Sequence, residues 1–235
     1  MTTDLLILSL RETRLILERL VQAAGAPPGL LPSVRDCALY SAILPGDGFA
    51  GIAAQLERLG ANKPAPLRIV AEQPMMTVDC GNQHAWLVAD GLLDLAVDQS
   101  RRTGQADVKA LHLVAPEELR IVAGLAERYG LEATAAPDGD GVLIRISPRP
   151  VARLSLLDKL RFDGVPVSAA TWWPLYEASH AALAPDSFES RRHAGTVRVE
   201  ADGRIVGRPD EDETDLSMLA ADPTRLRRAP VSSVS

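Results

Sequence analysis

MMTVDCGNQHAWLVADGLLDLAVDQSRRTGQADVKALHLV, residues 75 to 114, decides how the rest of the chain is read. Met75 to Asp79 has the look of a short strand. Ala85 to Arg101 places Ala89, Leu92, Leu93, Ala96 and Val97 on one face at helical spacing, and Gly104 closes that helix. Val108 to Val114 then reads as a second strand. Strand and helix continue to alternate on both sides. Leu67 to Ala71 is a strand set off by a turn at Pro74. Pro116 occupies the first position of another helix, with Glu117 and Glu118 in its first turn, where carboxylates favour the helix dipole, and Gly130 ends it. Leu131 to Ala136 and Val142 to Ile146 flank Asp138-Gly139-Asp140-Gly141, a hairpin signature. This alternation argues for an α/β layer: a mixed sheet flanked by helices.

The first sixty residues read as helical throughout. Ser9-Leu10-Arg11-Glu12 has the form of a capping box, followed by Leu10, Leu17, Leu20, Val21 and Ala24 on one face, and by Gly25 and Pro27-Pro28 as a stop. A second helix spans Pro32 to Ala42. A third carries Ile52, Leu56 and Leu59 and stops at Gly60. Ser147 to Pro150 is a linker, and helices follow over Leu154 to Phe162 and Ala169 to Leu183, the latter with Trp172 and Trp173. After Pro185 apolar periodicity fades, leaving one hairpin signal at Gly195–Val199 and Arg204–Val206. The reading is thus an N-terminal helical segment (1–60), an α/β core (61–147), C-terminal helices packed on it and on the N-terminal ones (151–184), and an acidic, partly flexible tail (185–235).

The chain has 235 residues, 46% of them apolar and 24% charged, which excludes a disordered or fibrous protein. Aromatics make up 4%, so the core must be mostly aliphatic. Two cysteines, Cys37 and Cys80, are too few for a disulfide scaffold or a cysteine-cage zinc site, and no metal is expected. Of the net charge of −6, Glu200 to Asp215 holds −5, from seven acids against Arg204 and Arg208. The remainder is nearly neutral, without the basic footprint of a nucleic-acid binder. The apolar run Leu5 to Leu10, broken by Ser9, is too short for a signal peptide or a bilayer span. The expectation is a cytoplasmic protein with reduced thiols.

Several motifs in one order resemble the type-2 malate/lactate dehydrogenase family. They are an opening helix ending in Ala23-Ala24-Gly25, Leu56-Glu57-Arg58-Leu59, a strand reaching Val78-Asp79, and the helix Leu92-Leu93-Asp94-Leu95-Ala96 with Arg101-Arg102-Thr103-Gly104. Leu125-Ala126-Glu127-Arg128-Tyr129-Gly130-Leu131 and Asp163-Gly164-Val165-Pro166 with Trp172 complete the set. The resemblance implies the fold of NAD(P)-dependent 2-oxoacid and imine reductases in truncated form, shorter by roughly a hundred residues in the middle. It also implies dimers. The departures are at the chemistry. Where the family has its acid/base histidine this chain has Asp47, and where it has a histidine loop at the cofactor this chain has Val114-Ala115-Pro116-Glu117.

Three residues are candidates for chemistry. Asp47, in Gly46-Asp47-Gly48, reads either as a relocated acid or as a tight turn capping the next helix. Cys80 and His84, in Cys80-Gly81-Asn82-Gln83-His84, offer a thiol with an imidazole base, or a small buried thiol and a helix-start histidine. His112 reads as a core or edge strand residue. No phosphate-cradling glycine motif is present. The leading expectation is a non-catalytic or catalytically altered relative acting through association with itself or a protein partner, with no cofactor and no assigned cofactor residues. The alternatives are an oxidoreductase reducing a 2-oxoacid or cyclic imine with NADH or NADPH, and a thiol hydrolase built on Cys80 and His84.

Overall fold

The computed structural model describes residues 4–150, 154–183, 197–199 and 205–207. The chain divides into two units, Met1–Leu183 and Ala184–Ser235. The first unit runs β1 (Leu5–Leu8), α1 (Leu10–Ala23), α2 (Leu31–Ile43), α3 (Gly48–Gly60), β2 (Arg68–Ala71), β3 (Met76–His84), α4 (Ala85–Thr103), β4 (Ala106–Val114), α5 (Val122–Leu125), β5 (Leu131–Asp138), β6 (Gly141–Pro148), α6 (Leu156–Asp163), β7 (Val165–Ser168) and α7 (Ala169–Ser179). In the second unit β8 (Val197–Val199) pairs antiparallel with β9 (Ile205–Gly207), at the place of the hairpin signal. The seven acids of the acidic run, and the rest of the tail apart from these two strands, lie outside the described residues.

A mixed five-stranded sheet, ordered β2-β3-β4-β6-β5, carries helices built by the residues before and after it. Only β3 and β4 are parallel, joined by α4. The apolar face of α4 explains its place: Ala89, Leu92, Leu93 and Ala96 are fully buried. Each such leucine contributes about 2 kcal/mol by leaving water. Gly104, left-handed at φ 86, ends the helix as its spacing predicts. Beyond α4, α2 is buried nearly all round, as expected of a helix enclosed by α1, α3 and α4. The N- and C-terminal helices do pack together. Trp172 of α7 is buried edge-on to Phe49 of α3, with ring centroids 6.0 Å apart, while Trp173 faces solvent. The β5–β6 hairpin turns at Gly139-Asp140, and Lys109 of β4 grips that turn through Asp140 (2.9 Å) and Asp138 (3.2 Å).

Four expectations need correction. The N-terminal sixty residues are not all helical, because Leu5–Leu8 pairs antiparallel with Val165–Ser168. These strands are four residues each, and their partner is some 160 positions away, so neither leaves a local periodic signal. Ser147 and Pro148 belong to β6 rather than to a linker. β3 runs on through His84, so Cys80 lies inside the strand rather than after it. The continuous helix expected from Pro116 to Gly130 is instead a 3-10 turn (Pro116–Ile121), the short α5 and a second 3-10 turn (Ala126–Tyr129). Its buried residues Leu119, Val122 and Leu125 recur every three positions, the period at which 3-10 side chains eclipse. Tight winding suits the contact there, since a Cβ on Gly124 would stand 2.0 Å from the Tyr40 ring. Ser9 does cap α1, accepting the Glu12 amide at 3.0 Å.

Candidate functional site

The structure does not bring the three candidate residues into one site. Asp47 is exposed at the start of α3, in helical conformation, and its side chain makes no capping hydrogen bond. Cys80 is buried, its Sγ lies 3.9 Å from the Val78 carbonyl, and burial pushes its thiol up to about 12. His84 is buried and spoken for on both nitrogens. Its Nδ1 accepts the Trp86 amide at 3.2 Å, capping α4, so the ring proton sits on Nε2 and is donated to Gln55 Oε1 at 3.1 Å. Burial lowers its pKa to about 4. A thiol held protonated and an imidazole with no free lone pair do not make a nucleophile and its base. Both residues are structural.

Polar groups converge elsewhere, at the carboxyl ends of β3 and β4, the edge of an α/β sheet where ligands characteristically bind. A cleft of about 640 Å³ opens there between the end of β4, the Pro116–Ile121 turn and the β5–β6 hairpin. Its walls are mostly apolar, with Ala110, Leu113, Pro137 and Val142 among them, and His112, Glu117, Arg120 and Asp140 bring polar groups to it.

His112 reaches this cleft through a bulge. Asp79 pairs with Leu111 and Gln83 with Leu113, so Cys80, Gly81 and Asn82 all oppose His112 alone. Strand parity would send His112 after Ala106, Val108 and Ala110 into the buried face. Instead its backbone is left-handed (φ 53), and 59% of its side chain is exposed. This corrects the reading of His112 as a core or edge residue. Asn82 (φ 56) and Ala115 (φ 55) share the left-handed conformation, which costs on the order of 1–3 kcal/mol per non-glycine residue. The Gln83 side chain locks the bulge, donating to Cys80 O at 2.8 Å and accepting from the Ala65 amide at 2.7 Å. Asp79 Oδ1 receives the Gly81 amide at 2.9 Å and lies 2.8 Å from His112 Nδ1. These two hydrogen bonds, the backbone one foremost, hold Asp79 below the usual carboxylate range. With Nδ1–H donated to Asp79, His112 Nε2 is the imidazole's free lone pair.

Arg120 forms the other polar wall. Its Nη2 donates to Glu118 Oε1 (3.0 Å), Ser41 O (3.1 Å) and Ser41 Oγ (3.2 Å), and Glu118 Oε2 accepts from Trp86 Nε1 at 2.9 Å. Arg120 Nη1 is buried without a hydrogen-bond partner, an orphaned cationic donor of the kind that calls for a ligand or a water. The Asp47 turn packs against this guanidinium, since a Cβ on Gly46 would stand 3.0 Å from Arg120 Cζ.

The strand-to-helix turn after β4 borders the cleft, and the turn after β3 is its neighbour in the sheet, with His84 opposite Val114. After β3, the buried His84 ring occupies the helix start. After β4, Glu117 and Glu118 stand in the first turn. Among the described residues no three His, Cys, Asp or Glu side chains are arranged to hold a metal ion, and no helix is long and apolar enough to cross a membrane.

Sequence reasoning missed His112, Asp79 and Arg120. A signal existed for the first two, because Gly81-Asn82 inside a strand is the pair most tolerant of positive φ and therefore marks a bulge. Arg120 left none, since its role depends on contacts with Ser41 and Gly46 that are remote in sequence.

No family model matches the chain, and no curated protein does. Among solved structures it is similar to a putative malate/lactate dehydrogenase from E. coli, with 12% identity and a TM-score of 0.47 over 87% of this chain and 60% of that one. It is also similar to malate dehydrogenase from Pyrococcus horikoshii OT3 (14% identity, TM-score 0.44, 76% and 64%). A third is delta1-piperideine-2-carboxylate reductase from Pseudomonas syringae pvar. tomato (16% identity, TM-score 0.43, 63% and 51%). The chain thus spans less than two thirds of each of these three.

Proposed function

We propose that the chain is a catalytically altered relative of the NAD(P)-dependent 2-oxoacid and imine reductases, acting as a homo-oligomer and holding a small carboxylate-bearing molecule in the cleft without a nicotinamide cofactor. One observation carries the reading: the strand-to-helix turn at the cleft, after β4, and its neighbour in the sheet, after β3, offer no open amides to a diphosphate. A dinucleotide needs a helix start with free amides to receive its phosphates. After β3, the Trp86 amide is already bound by His84, and the ring is buried. After β4, the turn opens on Pro116, which has no amide hydrogen, and its carboxylates Glu117 and Glu118, paired with Arg58 and Arg120, add no positive charge to receive phosphates. These turns therefore suit a diphosphate poorly. A single carboxylate is a smaller demand, which the guanidinium-bearing Arg120 in the cleft wall supports. Self-association is supported by exposed apolar side chains on β1, α6 and α7: Leu5, Ile7, Phe162 and Trp173.

Isothermal titration with NADH and NADPH tests the central claim. No binding tighter than about millimolar is expected, which corresponds to roughly −4 kcal/mol. Micromolar binding would overturn the reading in favour of the reductase, for which the cleft volume lies in the ordinary range of small-molecule sites. The same titration with 2-oxobutyrate tests the carboxylate claim, for which binding in the millimolar range or tighter is expected.

A further inference from the structure

We propose that Asp79 and His112 form a proton-transfer dyad serving the cleft, with a small carbon acid as substrate: a molecule bearing a C–H bond beside a carbonyl or imine, and an anionic group for Arg120. The inference rests on the cleft-binding reading above and adds a reaction to it.

The geometry separates this pair from an ordinary surface contact. An exposed ion pair does not compensate a left-handed histidine, yet here the strain is built in at His112 and locked from the opposing strand by Gln83. Bulges of this kind recur beside active sites, where they re-aim one side chain. What is re-aimed is an imidazole with Nδ1 fixed on a carboxylate and Nε2 unoccupied. Asp79 is itself fixed by the Gly81 amide, so the dyad is oriented before any ligand arrives.

Proton exchange is also the chemistry that these residues can complete without a cofactor. Nε2 takes the proton from the carbon, and the C–H electron pair becomes a C=C bond. The carbonyl π pair moves to oxygen, giving an enolate. Return of the proton from Nε2–H to carbon restores the ketone and the neutral imidazole. Nothing is oxidised or reduced, and no co-reactant is needed. Asp79 stabilises the imidazolium formed in between and keeps the reactive tautomer, while the guanidinium of Arg120 favours the anionic substrate.

The test uses the full chain in D2O with 2-oxobutyrate as probe, following loss of the C3 methylene signal by proton NMR. The wild type is expected to exchange these protons faster than free imidazole at equal concentration. His112→Gln should lower the rate by about a hundredfold or more, and Asp79→Asn by about tenfold or more, with circular dichroism unchanged. Equal rates in wild type and H112Q, or a wild-type rate no better than free imidazole, overturn the dyad. The titration with the same probe separates the two readings. Binding without exchange overturns the dyad alone, whereas absence of binding overturns the cleft-binding reading on which it rests.

Discussion

Acidification should destabilise the fold through one residue, His84. Its imidazole is fully buried, and Nδ1 must stay unprotonated to accept the Trp86 amide at the start of α4. The folded protein therefore holds its pKa at about 4, against an ordinary 6.5 in the unfolded chain. The sign follows directly. Above pH 6.5 both states are neutral here and the residue adds no pH dependence. Between 6.5 and 4 the unfolded chain binds a proton that the folded one refuses, so stability falls as pH falls. A shift of that size corresponds to about 3 kcal/mol in total, all of it lost by pH 4. His84→Asn keeps a good capping oxygen and removes the titration. At pH 7 the variant should be less stable than the wild type by about 1–3 kcal/mol, because the bond to Gln55 and packing on Trp86 are lost. On acidification the two should converge, because only the wild type carries the extra slope. Urea unfolding followed by tryptophan fluorescence at half-unit steps from pH 4 to 7 measures this. Asp79 and Asp140, remote from the substitution, titrate alike in both proteins and drop out of the difference. Parallel curves across the whole range would refute the assignment of His84 as a buried neutral cap.

Cys80 and Cys37, both buried with raised thiol pKa values, should not react with an aromatic disulfide reagent at pH 8 until denaturant is added. Rapid labelling of the native protein at Cys80 would reinstate a thiol chemistry. Light scattering should find a dimer or larger at micromolar concentration, and a monodisperse 25.2 kDa species would rule out self-association. Removal of all residues after Pro185 should leave the unit Met1–Leu183 folded, with Tm lowered by a few degrees at most. Loss of the circular dichroism signal on truncation would place the tail within the core or an interface.

Much of the fold is legible because its elements are long and periodic. The face Ala89, Leu92, Leu93, Ala96 and Val97 predicts α4 to within two residues at its end, and Gly104 stops it. The turn Gly139-Asp140 fixes the β5–β6 register in the same local way. What escapes is non-local. β1 and β7 are each other's only partners, and a four-residue strand containing Pro166 reads as a loop until its mate is known. The site escapes for a related reason. Strand alternation, the rule that places side chains on a face, assigns His112 to the core. It fails there because three residues of β3 oppose one of β4.

That insertion also explains how one strand serves two ends. Asp79, before the bulge, hydrogen-bonds His112 at the cleft, and His84, after it, turns into the core to cap α4 and grip Gln55 of α3. The cap on α4 is thus also a tie between α3 and α4, made through the one ring of His84. The imidazole left available at the cleft then lies on the neighbouring strand, three positions before Ala115. How β3 is paired thus decides both the placing of His112 at the cleft and the tie between α3 and α4.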